Sequence, residues 1–364
     1  MMGSETLLNA YLEANVVLVF GFALWRLVRF ALGRLGLGRA FIGQLRAMTV
    51  VLAAMALTPL AMLGVGLLRA EGWLGAPLTI SDIAVAHYLN GQIKMPAADF
   101  EALIAMRETG IRGFLDFAHP VAWIIAGVAL AGFVIAAVRL GWSGLSVWQV
   151  LRRCHVWRRL GTVSLLVSDE ITMPFSTRGW RRHYVVVPSS LLARPADLSM
   201  VLAHEFQHIR QGDLAWEIGM EVIRPFFFWN PAMHLWKREV EQLRELACDQ
   251  RLVERGRLDV RAYCACLLRF CRENIAVRRA LPGVAFVEAR RRPFLYRRLM
   301  AVAEARQARA PRAIVALVAV PVVLAVGALS LALQQPADWS QDRLMLSTIV
   351  NLERLNARNA LATR

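Results

Sequence analysis

Residues 47–68 make a run of 22 without a charged side chain, and that run limits the fold more than any other feature of the chain. A helix needs about 20 apolar residues to cross the hydrocarbon core of a bilayer. Two further runs qualify: 120–138, with 19 residues, and 313–333, with 21, the latter carrying Pro321 as an expected kink. A fourth, 7–25, is interrupted by Asn9, Glu13 and Asn15. It lacks a basic n-region and a small-residue cleavage site, so it reads as a retained helix and not as a signal peptide. A mean hydropathy of +0.44 argues against two ordinary soluble domains and against disorder. The expectation is a mainly α membrane protein with four spans.

Charge orients those spans. Arg26, Arg29, Arg34, Arg39 and Arg46 lie between the first two with no acidic residue among them. Between the second and third, residues 69–118 hold 4 basic and 6 acidic side chains, whereas residues 139–312 hold 30 and 16. Cytoplasmic segments collect Lys and Arg, so the short first loop and the long third segment are expected inside and both termini outside. The domain plan is then a helical hairpin over 1–68, an outer loop over 69–118, a third span over 119–138, a cytoplasmic domain over 139–312, a fourth span over 313–333 and an outer tail over 334–364. The surplus of arginine on the inner side reads as adhesion to anionic lipid, with Arg290–Arg292, Arg297 and Arg298 just before the last span. No nucleic-acid-binding signature is present, so no direct nucleic-acid contact is expected. All five cysteines fall in the inner segment without C-x-x-C spacing and read as buried free thiols.

Within that segment, 161–167 and 184–187 are β-branched and apolar and read as strands, with 172–179 as a loop around Pro174. A helix opens at Asp197 as its capping residue and stops near Gly212. Helices over 214–228, from Asn230-Pro231 to Glu254, over 259–274 and over 297–309 follow. In the outer loop, 80–89 and 97–107 read as helical.

The first inner helix carries His204-Glu205-Phe206-Gln207-His208. Residues four apart on a helix share a face, so His204 and His208 can clasp one metal ion, and Glu205 can reach a water beside it. A catalytic zinc needs a third protein ligand and keeps an open position. Thirty-seven residues after His208, Glu245 and Asp249 again stand four apart. Glu245 fits the third ligand, and Asp249 fits a support that accepts a hydrogen bond from a ligand histidine. Asp213 reads as a helix cap. His183 and His234 are weaker candidates at an oxyanion, and Trp229, Trp236 and Phe226–Phe228 read as packing. Charged flanks at Arg194, Asp197, Arg210 and Asp213 place the motif outside the bilayer.

In order and spacing, Pro174-Phe-Ser, the strand closed by Pro188, the HExxH with Ile209 and Asp213, Trp229-Asn-Pro231 with Trp236, and Glu245-Leu-Ala-Cys-Asp249 resemble the membrane metallopeptidases related to the β-lactam sensor-transducers, within the gluzincin group. The resemblance covers about residues 140–310 and implies an α+β gluzincin-like domain with one zinc per chain. It further implies the ligands His204, His208 and Glu245, catalytic Glu205 and supporting Asp249. Tyr184, Val185, Val186 and Val187 would form an edge strand to which a substrate strand adds, and the connector 281–294 is a candidate for self-cleavage. Here the chain departs from the sensor-transducers: about 30 residues follow Leu333, too few for their penicillin-binding domain. The expected function is an endopeptidase of the bacterial inner membrane that cuts a cytoplasmic regulatory protein, such as a transcriptional repressor, in transmembrane signalling. The alternatives are a catalytically quiet signalling scaffold and a quality-control protease. Membrane lipid, a homodimer partner and an outer signal partner complete the expected contacts.

Overall fold

The computed structural model describes residues 4–70, 80–115, 120–256, 259–279, 285–304, 313–332 and 341–362. Mostly helical, it holds α1 (Ser4–Arg34), α2 (Phe41–Ala70), α3 (Ile80–Leu89), α4 (Ala97–Leu115) and α5 (Pro120–Arg153) before a small sheet. After the sheet come α6 (Pro195–Gln211), α7 (Asp213–Ile223), α8 (Pro231–Glu254), α9 (Val260–Arg279), α10 (Ala285–Glu304), α11 (Ala313–Ala332) and α12 (Gln341–Ala362). Among the described residues four helical stretches are long and apolar enough to cross a membrane: Ala10–Arg34, Phe41–Thr58, Pro120–Arg153 and Val315–Ala332. A helix satisfies its backbone internally, which is what a spanning segment requires; Pro321, inside α11, has no N–H to give.

The chain divides into two compact units. One comprises Met1–Ala23, Val50–Leu130 and Val320–Arg364. In it α3 and α4 are joined by α12, a helix that the composition of residues 334–364 did not announce. Val85, Ala97, Phe100, Leu346 and Val350 form their shared core. Tyr88 stacks on Phe100 at 4.3 Å. Glu353 of α12 accepts a hydrogen bond from the Ala97 backbone N–H at 3.1 Å, an acidic side chain on the first turn of α4 where the helix dipole favours it.

The second unit, Leu24–Thr49 with Ala131–Ala319, holds the sheet. Its strands are β1 (His155–Leu160), β2 (Val163–Ser168), β3 (Phe175–Arg178) and β4 (His183–Pro188), in the order β1-β2-β4-β3. β1 was not anticipated, because every one of its residues is exposed and its pattern does not alternate. β2 and β4 run parallel, while β1 and β3 pair antiparallel at either side. Tyr184, Val185, Val186 and Val187 therefore do not form an edge. Ladders on both sides occupy that strand's backbone, and Val185, Val186 and Val187 are wholly buried, which is the burial a central parallel strand shows. The edges are instead β1 and β3, the latter within the segment expected as a loop.

One face of the sheet (Val163, Leu165, Val185, Val187) packs with Leu198 and Val201 of α6 and Phe270 of α9. α6 begins at Pro195, two residues before the expected cap. Proline at the first helical position loses no hydrogen bond, and Asp197 instead pairs with Arg269 of α9. Asn230 caps α8 by accepting from the Ala232 N–H at 2.9 Å. The far side of α8 meets the ends of the first hairpin: Trp236 lies 6.2 Å from Trp25, and Arg29 pairs with Glu239. The expected helix over 214–228 stops at Ile223, where Pro225 turns the chain into a short 3-10 segment. α10 starts at Ala285, so the connector expected over 281–294 is helical from that residue on, and 281–284 lie outside the described residues.

Candidate metal centre

The site is built where α6, α8, α9 and α10 meet. His204 and His208 rise from the same face of α6, and their Nε2 atoms stand 3.1 Å apart. Glu245, from α8, brings Oε2 to 3.5 Å from His204 Nε2 and Oε1 to 3.5 Å from His208 Nε2. Three donors so spaced suit a tetrahedral ion: ligand atoms about 2.0–2.1 Å from one zinc are roughly 3.3 Å apart. Cys248 also lies close, in a set with the two histidines whose ligand atoms are within 4.8 Å of one another. Its Sγ sits on the other side of the His204 ring, 3.4 Å from Nδ1, and donates toward the His204 carbonyl. Among the described residues Glu245 alone is within ion-pair distance of both Nε2 atoms, so it completes the set better than the thiol.

Each imidazole is oriented from behind. The Nδ1 of His208 donates to Asp213 Oδ2 at 2.9 Å. Gly212 makes this possible: its φ of +76° ends α6 and swings the next residue back over the last turn, a conformation side chains other than glycine rarely adopt. Asp213, expected as a helix cap, is thus the histidine's partner. For His204 the expected direct support from Asp249 does not form. Asp249 Oδ1 is 3.6 Å from Nδ1, beyond hydrogen-bond reach. Tyr263 of α9 stands between them: its hydroxyl is 2.9 Å from His204 Nδ1 and donates to Asp249 Oδ1 at 2.7 Å. The hydrogen-bond network therefore assigns an Nδ1 proton to both rings and turns both Nε2 atoms inward.

Arg298 closes the arrangement. Its guanidinium binds Asp249 through two bonds of 2.8 and 2.9 Å and reaches Glu245 Oε2 at 2.8 Å. This corrects its assignment to a lipid-facing basic patch: Arg298 is a largely buried counter-charge for two carboxylates. Burial opposes ionisation of Glu245, yet Arg298 and then the two histidines hold its carboxyl well below the usual range. Burial likewise opposes protonation of His204, and Cys248 and Glu245 outweigh it, pushing its pKa up to about 10. For His208, Asp213 leads the groups that overcome burial, and its pKa also rises. The pocket's field favours a cation at the Nε2 atoms.

Glu205 follows His204 in α6 and is 9% exposed. No hydrogen bond or ion pair engages its carboxylate among the described residues. His234 gives its Nε2 to the Phe228 carbonyl at 2.8 Å, a local tie within the chain turn. The five cysteines are free, with Cys248 and Cys266 buried and the other three half-buried.

A family model described as BlaR1 peptidase M56 matches residues 11–302. The chain belongs to this family. The match spans about four-fifths of the sequence, including the four meeting helices and three of the apolar ones. A comparison with curated proteins returned no match. Membership makes this a membrane metallopeptidase of the BlaR1 type, and the paired histidines of α6 are the group in the structure suited to its metal. Along the chain Tyr263 does not stand out and Arg298 reads as lipid-facing; packing explains both roles. Tyr263 shares a buried helical column with Cys266 and Phe270, where a hydroxyl needs a partner. Arg298 sits one turn before fully buried Val302, on a face where an unpaired charge is costly.

Proposed function

We propose that this chain is a zinc endopeptidase of the bacterial inner membrane, with both termini outside and the sheet-bearing unit in the cytoplasm, and that it cuts a regulatory protein such as a transcriptional repressor. One observation carries the metal assignment: two inward-facing Nε2 atoms and the Glu245 carboxylate lie within 3.1–3.5 Å of one another, while the outer side of each ring is occupied by a partner. His204, His208 and Glu245 would hold the ion, one per chain.

Zinc, when bound, supplies a Lewis acid that polarises a carbonyl and acidifies water. The chain's own groups do the rest. Glu205 accepts a proton from the attacking water and returns it to the departing amine. Asp213 and the Tyr263–Asp249 relay keep the imidazoles in one tautomer. Arg298 holds one Glu245 oxygen and so orients the other. Residues 26–46 carry five arginines and no acidic residue, a charge bias that supports this orientation.

Zinc content and peptide-bond cleavage, measured on the purified full chain and on Glu205→Ala, test the reading. About one zinc in both with cleavage in the parent only is the expected result. Zinc absent from both after metal supplementation overturns the site. A co-expressed candidate repressor that stays intact beside zinc-loaded, active enzyme overturns the regulatory substrate.

A further inference from the structure

The tail helix α12 has two apolar faces, and only one of them is packed. Leu346 and Val350 are buried against α3 and α4. Leu344, Met345, Leu352 and Leu355 are 46–59% exposed. At about 100° per residue these four fall within an arc of roughly 100°, on the side away from Leu346 and Val350. Thr348 lies inside the same arc, and its hydroxyl donates to the Leu344 carbonyl at 2.8 Å, so its polar group is satisfied within the helix. On neighbouring α4, Leu103 and Met106 are 59% and 70% exposed, one turn apart.

Covalent geometry confines this surface. Four apolar helices crossing a bilayer in alternation would put the C-terminal end of α2, the N-terminal end of α5 and the C-terminal end of α11 on one side of it. Nine residues link α2 to α3, four link α4 to α5 and eight link α11 to α12. At most about 3.5 Å per residue, these links reach roughly 35, 17 and 30 Å. The trio of α3, α4 and α12 is therefore tethered at the headgroup layer by three short links. Left in water, its exposed leucines and methionines would form an apolar patch of the kind that marks an interaction surface.

We infer that α12 lies in the membrane interface on that side, with its Leu344–Met345–Leu352–Leu355 face seated among the lipid acyl chains and its Leu346–Val350 face holding α3 and α4. Interfacial helices of this kind bury one apolar face at the headgroup boundary. The trio is then a lipid-facing paddle and not a free-standing ligand domain. This inference rests on the four spans and on no part of the zinc reading.

The test places an environment-sensitive fluorescent amino acid at Leu352 of the full chain in nanodiscs, and at Arg354 as the comparison site, which points away from the stripe. Quenching by lipids brominated on the acyl chain and by aqueous iodide is measured at both. A several-fold stronger quenching by brominated lipid at Leu352 than at Arg354, with iodide effective only at Arg354, is expected, and the same contrast at Leu355 guards against a local disturbance. Iodide quenching at all sites without a lipid effect overturns the inference. So does shielding from both quenchers that appears only in discs holding two chains, which would assign the face to a second copy.

Discussion

The two sides of the metal centre hold similar histidines by different means. On the α6–α7 side, His208 is secured by Asp213, five residues along the chain, through one hydrogen bond and a left-handed glycine. On the α9–α10 side, His204 is secured through Tyr263 to Asp249, and Asp249 in turn binds Arg298, so the support spans residues 204 to 298. The first device forms when one helix ends. The second exists only after four helices have packed. A local clamp loses its own bond when cut, whereas a shared relay loses several.

Asp249→Ala should therefore have the largest effect. It removes the acceptor of Tyr263 and leaves the buried guanidinium of Arg298 with half of its partners. Thermal and denaturant unfolding of the detergent-solubilised chain should show a loss of about 3 kcal/mol, the scale for breaking a buried pair. Zinc competition against a chromogenic chelator should show affinity falling by about 10–100-fold. Asp213→Ala should match that drop in zinc affinity with a smaller change in unfolding, because its loss cuts one bond to an imidazole that can shed its charge, whereas the guanidinium of Arg298 cannot. Equal destabilisation by the two variants would erase the distinction between clamp and relay.

Tyr263→Phe sharpens the same contrast. The ring still packs, but the hydroxyl that joins His204 to Asp249 is gone. Zinc affinity should fall by up to about tenfold, near the low end for such supports, with about 1 kcal/mol of stability lost, as for one hydrogen bond. An unchanged affinity would mean that Asp249 supports His204 without the tyrosine. The smallest effect is expected from Gly212→Ala. No atom lies within 4 Å of the added methyl group, so the cost is the left-handed backbone alone, about 1 kcal/mol by unfolding. A modest weakening of zinc binding should accompany it as Asp213 shifts.

Much of the local structure was legible along the chain because its causes are local. Four long apolar stretches, Gly212 as a stop and Asn230-Pro231 as a start each act within a turn or two of helix. The placing of His204 and His208 on one face follows from helical periodicity alone. Strand order was not legible. Apolar β-branched residues say that 184–187 is a strand, but whether it lies at the edge depends on where β3 pairs, and β3 reads as a loop until its partner is beside it.

Read along the chain, the residues already say that this protein is membrane-bound, that one of its helices presents two histidines and a glutamate in metallopeptidase order, and that Glu245 and Asp249 share a face. These follow from run length and from the 3.6-residue turn. Tertiary structure decided that Asp213 serves His208, that Tyr263 stands between His204 and Asp249, and that Arg298 belongs to the site and not to the lipid. A buried polar atom takes whichever partner packing brings within 3 Å, and packing joins residues that the chain keeps far apart.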